Sequence, residues 1–127
     1  MNIMRHDPSR GEPDRSPIFI GEVTRQSFAT DDTAELLRVN SVTFRNGARN
    51  RLHHHAVDQV LIVTHGRGYI ATETERFDIE AGDVVQIPAG ERHWHGAQPG
   101  DELTHFSILT PGQLTIDETD EAPASAT

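Results

Sequence analysis

The sequence predicts an all-β domain with the architecture of a jelly roll or a closed barrel. Its apolar runs are short, rich in β-branched residues and interspersed with polar residues, a pattern typical of strands. Glycine and proline clusters separate these runs, and no segment sustains the 3.6-residue period of a helix. About eight or nine strands at this spacing are typical of one sandwich or barrel.

The predicted strands follow one another along most of the chain. They are residues 18–23, 36–44, 51–55, 59–64, 69–73, 76–79, 84–87, 93–96 and 103–109. Turns are expected at residues 46–47, 66–68, 81–83 and 88–90, where glycine allows positive φ or close backbone approach.

Length and composition indicate one folded domain between two polar ends. A chain of 127 residues fits the commonest size for a single hydrophobic core. Residues 1–16 are polar with almost no apolar periodicity, so we expect a flexible arm. Residues 17–116 form the predicted barrel, and residues 117–127 are expected to be a flexible, solvated acidic tail.

Charge and residue content exclude several classes of partner and site. The formal charge of -9 argues against nucleic acid or an anionic membrane as partner, because both require a positive surface. The chain has no cysteine, so any metal must be bound by nitrogen and oxygen ligands. Since no stretch approaches the length of a membrane helix and the N-terminus lacks the apolar core of a signal peptide, we expect a cytoplasmic protein.

Histidines are concentrated in the middle of the chain. Side chains alternate along a strand, so His53 and His55 share one face and His54 points the other way. Gln59 opens the next predicted strand, and His93 comes from a later one. Three nitrogens and one oxygen suit one divalent transition metal, with Mn²⁺, Fe²⁺, Ni²⁺, Co²⁺ or Zn²⁺ as candidates.

The residues around these four ligands form two spaced motifs. The first, G(X)5HXH(X)3,4E(X)6G in its glutamate form, matches at Gly47, His53, His55, Gln59 and Gly66. The second, G(X)5PXG(X)2H(X)3N, matches at Gly82, Pro88, Gly90 and His93. Gln59 replaces the expected glutamate and Ala97 the final asparagine. With both motifs in order, the chain resembles the cupin family, which implies a double-stranded β-helix, the cupin form of the jelly roll.

The ligand set of three histidines and one glutamine indicates a particular group within the cupin family. It is similar to the set of the manganese-dependent bacterial cupin hydroxynitrile lyases, which implies Mn²⁺ inside the barrel beneath a small apolar pocket. It also implies that a cyanohydrin hydroxyl meets the metal and that a histidine takes the hydroxyl proton. Small cupins commonly associate, so the resemblance implies a homodimer or homotetramer.

Gln59 adds no negative charge, so neutral ligands would leave the metal its full charge. Such a metal is a stronger Lewis acid and attracts an anionic substrate or product.

Five further residues are candidates for catalysis and substrate binding. His95 should share the inward face with His93, and His105 lies where the resemblance places an active-site histidine. The same resemblance places Asn40, Val42 and Leu109 at the substrate pocket. Asn40 departs from the small apolar residue expected there, which favours a more polar substrate.

Three functions share this ligand set. A lyase of the hydroxynitrile type is favoured, with a Lewis-acid metal and a histidine base acting on a small organic substrate. An Fe(II) dioxygenase is the alternative, although a neutral ligand set stabilises oxidised iron less. A cupin that processes or binds sugar acids is the third, and the 6% aromatic content argues against a sugar-stacking platform.

Overall fold

The computed structural model describes residues 1–118 and has the predicted all-β architecture. A 3-10 turn at Pro8–Arg10 is the one helical segment within this described range. The strands are β1 (Glu12–Pro13), β2 (Phe19–Ala29), β3 (Arg38–Asn50), β4 (His53–His55), β5 (Gln59–Ala71), β6 (Arg76–Glu80), β7 (Val84–Ile87), β8 (Trp94–Ala97), β9 (Glu102–Leu109) and β10 (Leu114–Ile116).

The strands pair antiparallel and close into a barrel. β3 lies between β2 on one side and β8 and β9 on the other. β5 pairs with β8 and β9 and also with β6 and β7, so β8 and β9 link the two long strands. β4 and β10 form a short second sheet. A bridge between His53 and His93 joins that sheet to the start of β8.

The apolar core fills part of the barrel interior. Alternate residues of the long strands face inward, as the period of two requires. The buried core residues are Val23, Val42, Phe44, Ala48, Leu61, Val63, Ile70, Ile79, Ile87, Ala97 and Leu103. Trp94 lies outside this core and is buried in a smaller cluster with Leu52, Tyr69 and Ala71. The interior left open by the apolar core is where the histidines lie.

Two predicted turns are wrong because the strands continue through them. β3 runs through residues 46–47, and β5 runs through residues 66–68. Gly66 has a φ of 76°, and a side chain there would collide with the backbone of Glu102. Gly68 lies similarly close to Gly96. These glycines are required for close strand contact rather than for chain reversal.

Part of the segment 1–16 is held against the barrel, although its composition predicts a flexible arm. β1 pairs with β2, and the Gln26 side chain donates to the carbonyl of Arg5. The His6 ring lies 4.5 Å from that of Phe106, centroid to centroid, and His6 also bonds Ser41. A few anchoring side chains are enough to hold the segment, and average composition does not reveal them.

The predicted solvated tail begins with two residues that are held by the barrel. Glu118 is almost fully buried and bonds both terminal nitrogens of Arg49, at 3.2 and 2.9 Å. Asp117 accepts from Nδ1 of His54 at 2.8 Å. The rest of the tail, residues 119–127, lies outside the described residues. No helix in the described part of the chain is long and apolar enough to cross a membrane.

Candidate metal centre and active site

Three histidines converge at the end of the barrel where β4 meets the start of β8. His53 and His55 project from one face of β4, as their alternation predicts. Two backbone hydrogen bonds, 3.0 and 2.9 Å long, pair His53 with His93. One ring nitrogen from each of the three histidines lies within 4.8 Å of the other two. The structure therefore brings together the three predicted imidazole ligands.

Backbone carbonyls fix which nitrogen of two of these rings is free. Nδ1 of His53 lies 2.7 Å from the carbonyl of Arg51, and Nδ1 of His93 lies 2.8 Å from that of Glu91. A carbonyl only accepts, so each Nδ1 carries the proton and each Nε2 keeps a lone pair. Nε2 of His93 is buried without a hydrogen-bond partner within the described residues. This orientation is the one found in metal-binding histidines.

Burial keeps the rings in the neutral form that a metal requires. Desolvation lowers the pKa of His53 to about 3. It also lowers the pKa of His55 to about 4, with a smaller contribution from the neighbouring His93. Both rings are therefore neutral near pH 7 without any nearby carboxylate.

Gln59 lines the same cavity as His53 and His55 and has an unpaired side-chain oxygen. Its side chain is buried, and its Nε2 donates to Oγ of Ser107 at 2.9 Å. The opposite atom, Oε1, is buried and bonds no other residue in the described range. An unpaired buried carbonyl is costly, but as a metal ligand it would be satisfied. The four predicted ligands thus fit a divalent transition metal by their donor atoms.

A second group of residues is joined by a chain of hydrogen bonds that runs from Asn50 through His95 to His105. Oδ1 of Asn50 accepts from the backbone N–H of His95 at 2.8 Å, so its Nδ2 must face Nε2 of that ring, 3.0 Å away. His95 therefore carries its proton on Nδ1, which lies 3.3 Å from Nε2 of His105. The result is that Nε2 of His105 is unprotonated and its lone pair accepts from Nδ1 of His95, while the proton of His105 lies on Nδ1.

Burial also determines the charge of the His95 and His105 rings. Desolvation lowers the pKa of His105 to about 4, and it lowers the pKa of His95 well below its ordinary value of 6.5. Both rings are neutral at physiological pH. His105 is therefore a weak but unprotonated base.

One cavity of about 230 Å³ is lined by His95 and His105 and also by His53, His55 and Gln59. Such a volume is below the roughly 300 to 1,000 Å³ of sites for drug-sized ligands, which favours a small substrate. The structure places all three predicted pocket residues in its wall, namely Asn40, Val42 and Leu109. The other lining residues are Ile18, Phe19, Arg25, Phe44, Asn50, His53, His55, Gln59, His95, His105, Ser107, Gly112 and Leu114.

Three polar residues of the site were missed in the sequence. Ser107 follows His105 by two positions, so the period of two already placed it on the inward face. Asn50 lies in a part of β3 beyond its predicted end, and Arg25 lies in a part of β2 beyond its predicted end. The inward orientation of both residues depends on strand pairing that the sequence does not show.

Comparison with known proteins agrees with the site and the fold. The family model described as "Cupin domain" matches residues 40–116, which contain all four candidate ligands. The chain belongs to the cupin family. This cupin is 48% identical over 82 residues to the (R)-mandelonitrile lyase of Granulicella tundricola. That match covers 64% of this chain and 62% of the lyase, so the cupin matches less than two thirds of that relative's length.

Further relatives show how widely the fold is used. Over 48 residues the cupin is 40% identical to the acireductone dioxygenase of a Sulfurihydrogenibium species, covering 35% of this chain and 27% of that enzyme. A cupin-like protein from Thermotoga maritima superposes with a TM-score of 0.80 at 34% identity, covering 100% of this chain and 98% of the other. The polyketide cyclase RemF from Streptomyces resistomycificus has a TM-score of 0.79 at 16% identity, covering 96% and 90%. The last likeness concerns the fold alone.

Proposed function

We propose that this cupin is a metal-dependent lyase of the hydroxynitrile type, cleaving a small cyanohydrin into a carbonyl compound and hydrogen cyanide. The observation that carries the proposal is the unprotonated Nε2 of His105, a residue that lines one cavity with His53, His55 and Gln59, three of the four candidate metal ligands. A base beside a Lewis-acid centre is the arrangement that removal of a hydroxyl proton needs. The identity to a mandelonitrile lyase supports the same chemistry.

His53, His55, His93 and Gln59 would hold the metal, for which Mn²⁺ is our first candidate. When bound, a divalent cation supplies Lewis acidity, which lowers the pKa of a substrate hydroxyl and stabilises the oxyanion. A weak base is sufficient for a hydroxyl acidified in this way. The low pKa of His105 is therefore compatible with its proposed role.

The protein's own groups then account for the proton transfers. The substrate hydroxyl would replace the Nδ1–H of His95 at Nε2 of His105, and Nε2 would then take the hydroxyl proton. The oxygen electron pair forms the carbonyl double bond, and the bond from carbon to cyanide breaks with its electron pair leaving on cyanide. The proton on His105 passes to the departing cyanide, which leaves as hydrogen cyanide. His95 and Asn50 act as positioning residues, because their hydrogen bonds hold Nε2 of His105 in its unprotonated form. Apolar walls at Val42, Phe44 and Leu109 limit competing water.

Oxygenase chemistry is the second candidate, because a segment of the chain matches an acireductone dioxygenase. The neutral amide of Gln59 favours the lyase, since it does less than a carboxylate to stabilise oxidised iron.

One assay separates these two functions. Metal-stripped protein is reloaded separately with Mn²⁺, Fe²⁺, Co²⁺, Ni²⁺ or Zn²⁺, and each sample is given mandelonitrile while cyanide release and oxygen uptake are recorded. The lyase predicts metal-dependent cyanide release without oxygen uptake. Oxygen uptake restricted to the iron-loaded protein, with no cyanide release from any sample, would establish the alternative.

A further inference from the structure

Arg25 occupies an inward position at the wall of the cavity. It lies opposite Val42 in the pairing of β2 with β3, and the core residue Val23 precedes it by two positions on the same face. Strand alternation therefore turns the Arg25 side chain toward the barrel interior. It lines the same cavity as three of the four candidate metal ligands, His53, His55 and Gln59.

The cavity has an unusual charge content for this protein. The chain carries 20 acidic and 11 basic residues, yet among residues 1–118 none that lines the cavity is acidic. Arg25 is the one Lys or Arg among these lining residues. A carboxylate entering this cavity would meet a cation and no fixed negative charge in its wall. The acidic surface elsewhere makes this local arrangement selective.

The Arg25 side chain is 40% exposed, and its guanidinium forms an ion pair through one nitrogen. Its Nε lies 2.9 Å from Oδ2 of Asp14, a side chain that is 10% exposed. Asp14 lies outside the cavity wall and is itself fixed by Ser16, which donates to Oδ1. Among the described residues, neither terminal nitrogen of Arg25 has a hydrogen-bond partner. These nitrogens present the planar donor pair that binds carboxylates.

We propose that Arg25 binds the carboxylate of the substrate, so that the cavity accepts a small hydroxy compound that is also an anion. The hydroxyl would lie at the metal ligands and His105, and the carboxylate at Arg25. This inference refines the substrate class of the proposed lyase and rests on that function for the position of the hydroxyl. The amide of Asn40, a polar group in the same wall, suits such a substrate better than a wholly apolar one.

Two matched probes test the charge recognition without catalysis. 4-(Hydroxymethyl)benzoate and its neutral amide, 4-(hydroxymethyl)benzamide, have nearly the same shape and place the variable group away from the hydroxyl. Their dissociation constants are measured by calorimetry on Mn²⁺-loaded protein. We expect the wild type to bind the carboxylate at least about 10-fold more tightly than the amide, since the charge-assisted pair is made by one probe only.

Four variants show whether Arg25 is responsible. Arg25→Gln should abolish the preference, and Arg25→Lys should keep part of it because charge remains while the paired donors are lost. Asp14→Asn should increase the preference, because it removes the anion that competes for the guanidinium. If the Arg25–Asp14 pair served only to stabilise the fold, Arg25→Gln and Asp14→Asn would not change the carboxylate preference in opposite directions. Arg45→Gln, which removes a cation bonded to Glu102 outside the cavity wall, should leave the preference unchanged.

The outcomes separate this inference from the proposed function. Equal binding of the two probes by the wild type, no binding of the carboxylate, or an unchanged preference in a folded Arg25→Gln variant would overturn carboxylate recognition. Cyanide release from neutral mandelonitrile is measured in parallel on the wild type. If that release is absent while the carboxylate preference persists, the lyase function fails and anion recognition by Arg25 stands.

Discussion

Ser107 accepts a hydrogen bond from the amide nitrogen of Gln59 and thereby leaves the Gln59 oxygen free for a metal. The Nε2 to Oγ distance is 2.9 Å, and both side chains are buried. Without this bond the amide could turn its nitrogen toward the histidines, and nitrogen in an amide does not bind cations. The orientation of one ligand therefore depends on a neighbouring strand.

Replacement of Ser107 should weaken metal binding. We expect Ser107→Ala to lower the Mn²⁺ affinity by about 10- to 100-fold, the usual cost of losing a group that orients a metal ligand. The affinity is measured by competition with a chelator. Ser41→Ala is the matched control, because Ser41 is a buried serine that bonds His6 away from the ligands. Equal Mn²⁺ affinities for Ser107→Ala and wild type would show that Ser107 does not orient the ligand.

Replacement of Asn50 tests the direction of the hydrogen-bonded chain. A carboxylate at this position cannot donate to Nε2 of His95, so Asn50→Asp should move the His95 proton and leave Nε2 of His105 without its donor. We expect kcat to fall by about 10- to 100-fold, within the range associated with general bases, while Mn²⁺ affinity stays within about threefold. The pH dependence of kcat is recorded as well. An unchanged kcat and pH profile would remove Asn50 from the mechanism.

Acid should destabilise the metal-free protein well before its carboxylates are protonated. The folded-state pKa values of His53, His55 and His105 are about 3, 4 and 4, all below the ordinary value of 6.5. As the pH falls through 6.5, the unfolded chain binds protons that the folded chain does not, so the free energy of unfolding decreases toward pH 4.

Urea unfolding of the metal-free protein at pH 7.5, 6.0 and 5.0 measures this effect. The midpoint should fall at each step, and His105→Gln should show a smaller decrease because one of the neutral rings is gone. A midpoint that stays constant from pH 7.5 to 5.0 would contradict the burial of neutral histidines.

Glu118 should contribute strongly to stability although it belongs to the predicted tail. The Glu118 side chain is 4% exposed and that of Arg49 is 6% exposed, and Glu118 also accepts from the backbone N–H of Leu52. Glu118→Gln leaves a buried cation without its anion, which typically costs about 3 to 5 kcal/mol. Glu73→Gln, at an exposed pair with Arg92, should cost at most about 1 kcal/mol. Equal unfolding free energies for the two variants would refute this assignment.

The sequence predicted those features of the site that depend on residues close together in the chain. Alternation along a strand placed His53 with His55 and His93 with His95, and motif spacing identified Gln59. The other features depend on pairing between strands, which the sequence does not show. Arg25 faces the cavity because β2 continues past Val23 and pairs with β3, and no local pattern marks that continuation.

The chain ends illustrate the same limit. Composition predicted that both ends would be flexible, but single residues hold the N-terminal segment and the start of the C-terminal tail against the barrel. His6 contacts the ring of Phe106, and Glu118 pairs with Arg49. Such contacts join residues far apart in sequence, so polarity alone cannot predict them.

The most direct test of the account compares cyanide release by wild type and His105→Ala, each with its Mn²⁺ content measured. His105 lies outside the candidate ligand set, so both proteins should bind Mn²⁺ at the same stoichiometry. We predict that the wild type releases cyanide from mandelonitrile and that the variant is slower by about 100-fold or more, the typical contribution of a general base. A metal-loaded wild type that releases no cyanide, or a variant that is equally active, would contradict the proposed lyase mechanism.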